Sequence, residues 1–273
     1  MIKIIIFSVL YLFSTFAQAQ QFLFDSHLHY GGEDVKQFTP KQIIKIFDRN
    51  HIKYAVVSST PNQGTESLYA YAPNRIIPFL GLYQTLGDKR DWMYDESVVA
   101  RVEEALNSGI YRGLGELHIF AKDRKSPVLR RIVEIASERN LMLQVHGDAE
   151  ILDEIFSLAP NVTILWAHLG TRPEPEFLRG VLTKYPQNLF IDTSVRDKQL
   201  LESGELTDDW KKLFIDYQDQ FTVAVDTFSV NRWNTFDLVV QDIRSWLADL
   251  PDEVVRKLAY DNAYKLFFNE KVD

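Results

Sequence analysis

Short runs of β-branched and aromatic residues alternate along the chain with longer segments whose apolar positions recur every three or four residues. Eight such runs stand at 22–29, 54–58, 76–82, 110–118, 141–146, 162–168, 189–193 and 221–226. Near-continuous apolar strands separated by helical segments are the pattern of βα units around a parallel sheet, which is covered on both faces. Helix starts are marked between them. Thr39-Pro40 supplies an N-cap and a first-turn proline before Ile43, Ile44 and Phe47, and Ser126-Pro127 does the same before Leu129, Ile132, Val133 and Ile135. Asn107-Ser108-Gly109 ends a helix running through Val98, Val102 and Leu106. The closing segment 251–267 places Leu258, Ala259, Ala263 and Leu266 on one stripe, which predicts packing under the sheet. The weakest unit is the second, where 61–72 makes a poor helix. Eight strands with intervening helices in about 250 residues predict an α/β fold, a single (β/α)8 TIM barrel over residues 20–273. Nothing resembling a linker, a repeat or a low-complexity segment divides it.

The first residues read differently from the rest. Lys3 is followed by a mostly apolar stretch over 4–16, and Ala17-Gln18-Ala19 presents small residues where a signal peptidase cuts. A cleaved signal peptide over 1–19 and a periplasmic or secreted mature protein are the expectations. The stretch is too short for a bilayer span of about 20 residues, and no cysteine is present to take a lipid anchor. Composition adds an exclusion. With 30 lysines and arginines against 38 aspartates and glutamates, the net charge is −8 and no basic run breaks it, so a nucleic-acid partner is not expected. A small-molecule substrate is, and a homo-oligomer is left open.

Histidine placement points to chemistry. Of six histidines, five (His27, His29, His118, His146 and His168) fall at the C-terminal ends of expected strands, and the sixth, His51, ends the first helix. In a barrel those strand ends open onto the face that carries active sites. His27 and His29, two apart on one strand, project to the same side and can grip one cation. His146 after the fifth run, His168 after the sixth and Asp226 after the eighth each terminate an apolar run in a metal-ligating side chain.

This ordered set resembles the amidohydrolase superfamily, in particular its amidohydrolase-related (amidohydrolase 2) branch of compact barrels. The motifs run from His27-Leu28-His29 through His146 and His168 to Asp226, and Asp261-Asn262-Ala263-Tyr264-Lys265-Leu266-Phe267 is similar to the family's closing helix. The resemblance implies a divalent metal, usually zinc, at the barrel mouth and hydrolysis of amide, lactone or phosphoester bonds; some members of the branch are decarboxylases or lyases. Gly115-Glu116 on the fourth strand stands where two-metal members carry a bridging carboxylate, and the segment also resembles the GE motif of TatD-like deoxyribonucleases. One ion and two ions both remain open at this level. With two, His27, His29 and Asp226 hold one, His146 and His168 the other, and Glu116 bridges. With one, His27, His29, His146 and Asp226 hold it, His168 lies beside the water as a donor, and Glu116 pairs with His118 around the substrate.

A divalent cation in such a ligand set lowers the pKa of bound water from about 15.7 toward 7, and Asp226 is the expected proton carrier. Arg172 and Arg196, in loops after the sixth and seventh strands, are the expected pocket cations, ahead of Tyr30 and Arg232. Asp192 either lines the mouth or caps a loop, Asp25 hydrogen-bonds within strand one, and Trp166 is read as core. A metal-dependent hydrolase leads. A metal-dependent non-oxidative decarboxylase of an aromatic or unsaturated acid is the alternative, and an inactive metal- or ligand-binding barrel is the third.

Overall fold

The computed structural model describes residues 21–268, so the expected signal peptide lies outside the described residues. Eight parallel strands follow one another in chain order: β1 (Leu23–His29), β2 (Ile52–Ser58), β3 (Ile76–Leu80), β4 (Gly113–His118), β5 (Met142–His146), β6 (Ile164–Trp166), β7 (Leu189–Asp192) and β8 (Phe221–Thr222). Backbone hydrogen bonds bridge the remaining seam, from Ser26 N–H to the Val223 carbonyl at 3.2 Å and from Asp226 N–H to the His27 carbonyl at 2.8 Å. The result is a TIM barrel. No helix among the described residues is long and apolar enough to cross a membrane.

The outer helices form where apolar periodicity and capping agree. Thr39 closes a capping box with Gln42 at the head of Pro40–Arg49, which buries Ile43, Ile46 and Phe47. Ser126 accepts from Leu129 N–H and opens Pro127–Glu138. Gly109 takes the left-handed conformation after the helical segment ending at Ser108. The second unit is better formed than its pattern predicts, with a helix at Gln63–Tyr71. Close packing compensates for its weak amphipathicity: Leu68 and Thr65 are fully buried, and a Cβ on Gly64 would lie 1.6 Å from the Tyr30 carbonyl oxygen.

Strand alternation alone would not deliver the histidines to the mouth. Phe24 faces the barrel floor with Val56, Ile77, Phe79 and Met142, and the partly buried Leu266 and Phe267 of the closing helix pack against this cluster. Above it lies a polar layer in which Ser26 Oγ is 2.8 Å from Thr222 Oγ1 and Gln144 Nε2 donates to the Ser26 carbonyl at 3.4 Å. Between Asp25 and Leu28 the register with β2 slips by one residue. That bulge reverses the phase of the strand, so Leu28 packs outward while His27 and His29 face the mouth. A second slip, between Leu114 and Leu117, does the same for Glu116 and His118 on β4. Gly115 sits there at φ +143°, and a Cβ on it would stand 2.6 Å from the Gln144 carbonyl oxygen; both features require glycine.

Several strands are shorter than the sequence pattern, among them β3, which ends at Leu80, and β4, which begins at Gly113. β6 stops at Trp166 and β8 at Thr222, and the ligands that follow them, His168 (φ 62°) and Asp226 (φ 54°), lie in left-handed backbone that a strand cannot continue through. The closing segment is likewise interrupted, with a π-helical turn at Lys257–Asp261 before Asn262–Phe268. Asn262 ties it to the barrel by donating to the carbonyls of Gln218 (2.7 Å) and Phe221 (2.8 Å). Asn262→Ala leaves those acceptors without their donor, and we expect it to cost about 1–3 kcal/mol. Urea unfolding checks this; an unchanged midpoint would show that the closing helix is held by its apolar contacts alone.

Candidate metal centre and active site

The mouth brings together His27, His29, Glu116, His118, His146, His168 and Asp226, side chains that lie up to about 200 residues apart in sequence. Their ring orientations follow from hydrogen-bond partners. His27 Nδ1 lies 3.0 Å from a carboxylate oxygen of Asp192, so this nitrogen carries the proton. His29 Nδ1 lies 3.1 Å from the Ser58 carbonyl, with the same consequence. At His168 the chain has one more link. Ser194 Oγ gives its proton to Asp192 Oδ1, so His168 Nδ1, 2.7 Å from Ser194 Oγ, must be the donor there.

Once their rings are neutral, as a metal ligand must be, all three Nε2 atoms turn lone pairs inward, toward one another and toward two carboxylates. His27 Nε2 is 3.2 Å from His29 Nε2 and 3.7 Å from Glu116 Oε1. His29 Nε2 is 3.4 Å from Asp226 Oδ1 and 3.5 Å from Glu116 Oε2. His168 Nε2 is 3.0 Å from Glu116 Oε1 and 3.8 Å from Asp226 Oδ2. Asp226 Oδ1 is buried and accepts no hydrogen bond. Such a set is unstable without positive charge between its members. A cation bonded at 2.0–2.1 Å to tetrahedrally disposed ligands holds them about 3.3 Å apart, close to the separations found. The donor set fits a divalent metal.

A second set adjoins the first. His118, His146 and Glu116 offer ligand atoms that all lie within 4.8 Å of one another. His146 Nδ1 is 2.9 Å from Glu116 Oε1, and the His118 and His146 rings stack at 4.3 Å. Burial pushes His118 down to about 3, against the pull of the Glu116 carboxylate, so its ring is neutral at physiological pH. Glu116 is common to both sets. Burial alone would raise it, but the surrounding imidazoles hold its carboxyl well below the usual range.

The shell behind the ligands is dense. Asp192, fully buried, accepts from His27 Nδ1 and, at its other oxygen, from the backbone of His168 (3.1 Å) and Ser194 (3.0 Å). Burial raises its carboxyl, yet His27, His168 and Ser194 bring it down to about 2. Thr227 Oγ1 accepts from His29 N–H and donates to the His29 carbonyl. Asp25 Oδ1 accepts from the backbone of His27 and Val225, and burial raises its carboxyl to about 8.

The expected pocket cations are placed elsewhere. Arg172 is exposed, pairs with Glu174 at 2.8 Å, two residues away, and lies over the Phe177 ring. Arg196 is half-buried and donates to the carbonyls of His168 (3.0 Å) and Gly170 (3.5 Å), so it braces the left-handed turn that carries His168. Arg232 does the corresponding work for Asp226, donating to the carbonyls of Val225 (2.8 Å) and Asp226 (3.4 Å). Tyr30 is buried and donates to the Phe38 carbonyl. Trp166 is core, as expected. The cavity above the ligands, about 330 Å³, opens instead between the loops after β1, β2, β3 and β8, with His29 and Glu116 in its wall.

A protein-family model described as amidohydrolase matches residues 91–268, well over half of the chain. The chain belongs to this family. The matched span begins after His27 and His29, so the barrel itself completes the motif by bringing β1 beside β8. No curated protein sequence matches this amidohydrolase. Among solved structures it is similar to a Pseudomonas putida protein provisionally assigned as a 2-pyrone-4,6-dicarboxylic acid hydrolase (12% identity, TM-score 0.61, 93% of this chain and 100% of that one). It is similar to a Burkholderia multivorans amidohydrolase with bound HEPES (13%, 0.59, 90% and 99%). A third is amidohydrolase 2 from Bifidobacterium longum subsp. infantis (13%, 0.55, 91% and 99%). At these identities the likeness is one of fold.

Two outcomes follow from the ligand geometry. Asp192→Asn removes the carboxylate that fixes the His27 tautomer, and we expect metal affinity to fall about 10–100-fold, measured by chelator competition; unchanged affinity would show that Asp192 does not orient the ring. In the metal-free protein burial disfavours charge on His27, but the carboxylates of Asp192, Asp226 and Glu116 outweigh it and raise the ring to about 10. A cation must displace that proton, so below about pH 10 its apparent affinity should rise with pH by about tenfold per unit. Metal titrations at pH 6, about 7 and about 8 read this directly, and a flat profile would mean that no bound proton is exchanged.

Proposed function

We propose that this amidohydrolase is a metal-dependent hydrolase that activates water to cleave an amide, lactone or other ester bond of a small molecule. The observation that carries the reading is the convergence of three imidazole Nε2 atoms, each ring with its Nδ1 engaged outside the cluster, on two buried carboxylates. His27, His29 and Asp226 would hold one cation. His146 and His168, at 2.9 and 3.0 Å from Glu116 Oε1, would hold a second with Glu116, and His118 lies beside them. Imidazole and carboxylate donors at this spacing suit zinc.

A divalent cation supplies, when bound, Lewis acidity and a water acidified toward neutral pH. Asp226 does the proton work. Its Oδ1 faces the ring nitrogens of His27 and His29, which leaves Oδ2 to take a proton. As the water oxygen bonds to the carbonyl carbon, Asp226 receives the proton, and it returns it to the leaving nitrogen or oxygen as that bond breaks. Because the deduced tautomer of His168 puts its lone pair inward, His168 serves as a ligand rather than as a donor to the water. The leader-like residues 1–19 support an exported enzyme acting on a periplasmic or extracellular compound.

Asp226→Asn should lower kcat by about 10²–10⁴ while the purified variant keeps most of its metal; elemental analysis and a panel of esters, lactones and amides measure both. Full activity in the variant would remove Asp226 from proton transfer. Carbon dioxide release from carboxylated aromatics, with no hydrolysis by the wild type, would replace the hydrolase by the decarboxylase.

A further inference from the structure

One charged side chain of the active-site cavity makes no hydrogen bond and no ion pair. Lys89, half-buried in the loop after β3, makes no ion pair or hydrogen bond with any described residue, and its ammonium lies 6.0 Å from the centre of the Tyr83 ring. Every other formal charge in the cavity wall is engaged. Glu33 pairs with Lys36 at 2.6 Å, Asp34 accepts from Gly31 N–H at 3.3 Å, and Glu116 is held among the histidines.

Lys89 nevertheless lines the same cavity as the ligands His29 and Glu116. Tyr83 connects Lys89 with Glu116, since its ring lies beneath the ammonium while its hydroxyl donates to the Glu116 carbonyl at 2.8 Å. Around Lys89 the cavity wall is apolar: Leu86 from the same loop and Phe228 and Val230 from the loop after β8, with Phe228 63% exposed at the rim. An ammonium without an ion pair, in a cavity that also holds His29 and Glu116, can hold an anionic group at one end of a molecule whose other end reacts.

We propose that Lys89 binds a carboxylate of the substrate, so that the enzyme's substrates are small amides, lactones or esters bearing a carboxylate a few carbons from the scissile bond, their carbon chain covered by Leu86 and Phe228. The inference rests on the hydrolytic site assigned above, but its test separates the two. Lys89 engages no described residue through a hydrogen bond or ion pair, so its replacement disturbs no internal contact of that kind.

The test compares an anionic ester, glutarate mono-p-nitrophenyl ester, with the neutral p-nitrophenyl butyrate, on zinc-loaded wild type, Lys89→Met and Lys89→Arg. Calorimetric titration with glutarate runs alongside. We expect Lys89→Met to raise KM for the anionic ester about tenfold or more, with butyrate hydrolysis within about twofold and Lys89→Arg retaining most of the preference. Glutarate affinity should fall in parallel. If neither ester is cleaved but glutarate binding depends on Lys89, the anion subsite stands and the hydrolytic reading fails. Hydrolysis of both esters with no effect of Lys89→Met on either would overturn the proposal and leave the hydrolase intact. Absence of glutarate binding to the wild type would also overturn it.

Discussion

Lone pairs that face one another across about 3–4 Å with nothing between them repel, and the mouth of this barrel is built from them. His27, His29 and His168 each commit the Nδ1 proton outward, to Asp192, Ser58 and Ser194, and turn Nε2 toward Glu116 and Asp226. Burying two carboxylates this way costs several kcal/mol per ion unless positive charge is supplied. The requirement for a cation is thus a property of the hydrogen-bond network behind the ligands as much as of the ligands themselves.

That network explains otherwise costly features of the fold. Bulges in β1 and β4 break strand alternation where His27 and Glu116 must turn inward. His168 and Asp226 occupy left-handed backbone, which costs a non-glycine residue about 1–2 kcal/mol, and a half-buried arginine braces the carbonyls of each turn. Asp192 links His27 to the His168 turn, so ligands from opposite sides of the barrel share one anchor. Strain and unpaired polarity are concentrated at the mouth, while the floor around Phe24 and Phe79 is apolar packing.

The barrel and its ligands were largely legible in the sequence, because both depend on local pattern. Apolar runs marked the strands, and the polar residues that end them, His29, His118 and His146, stand at strand ends in the structure. What pattern could not show was the phase reversal at the bulges, since a one-residue slip leaves composition unchanged. Nor could it show the fate of loop residues. Arg172 and Arg196 looked alike, yet one pairs with Glu174 on the surface and the other braces a turn, a difference set by backbone course. Lys89 gave no signal at all, because it sits in an irregular loop where its direction depends on Tyr83 and Leu86. Asp192 was visible as a strand-end acid, but its role needed the His27 ring beside it.

The central claim is that these imidazoles and carboxylates hold metal at the barrel mouth, and X-ray absorption at the metal edge of the zinc-loaded enzyme tests it most directly. The account predicts a first shell of nitrogen and oxygen at about 2.0–2.2 Å with the outer-ring scattering of imidazole, clearly diminished in a His27→Ala/His29→Ala variant. A spectrum of water oxygens alone, or one unchanged in that variant, would contradict it.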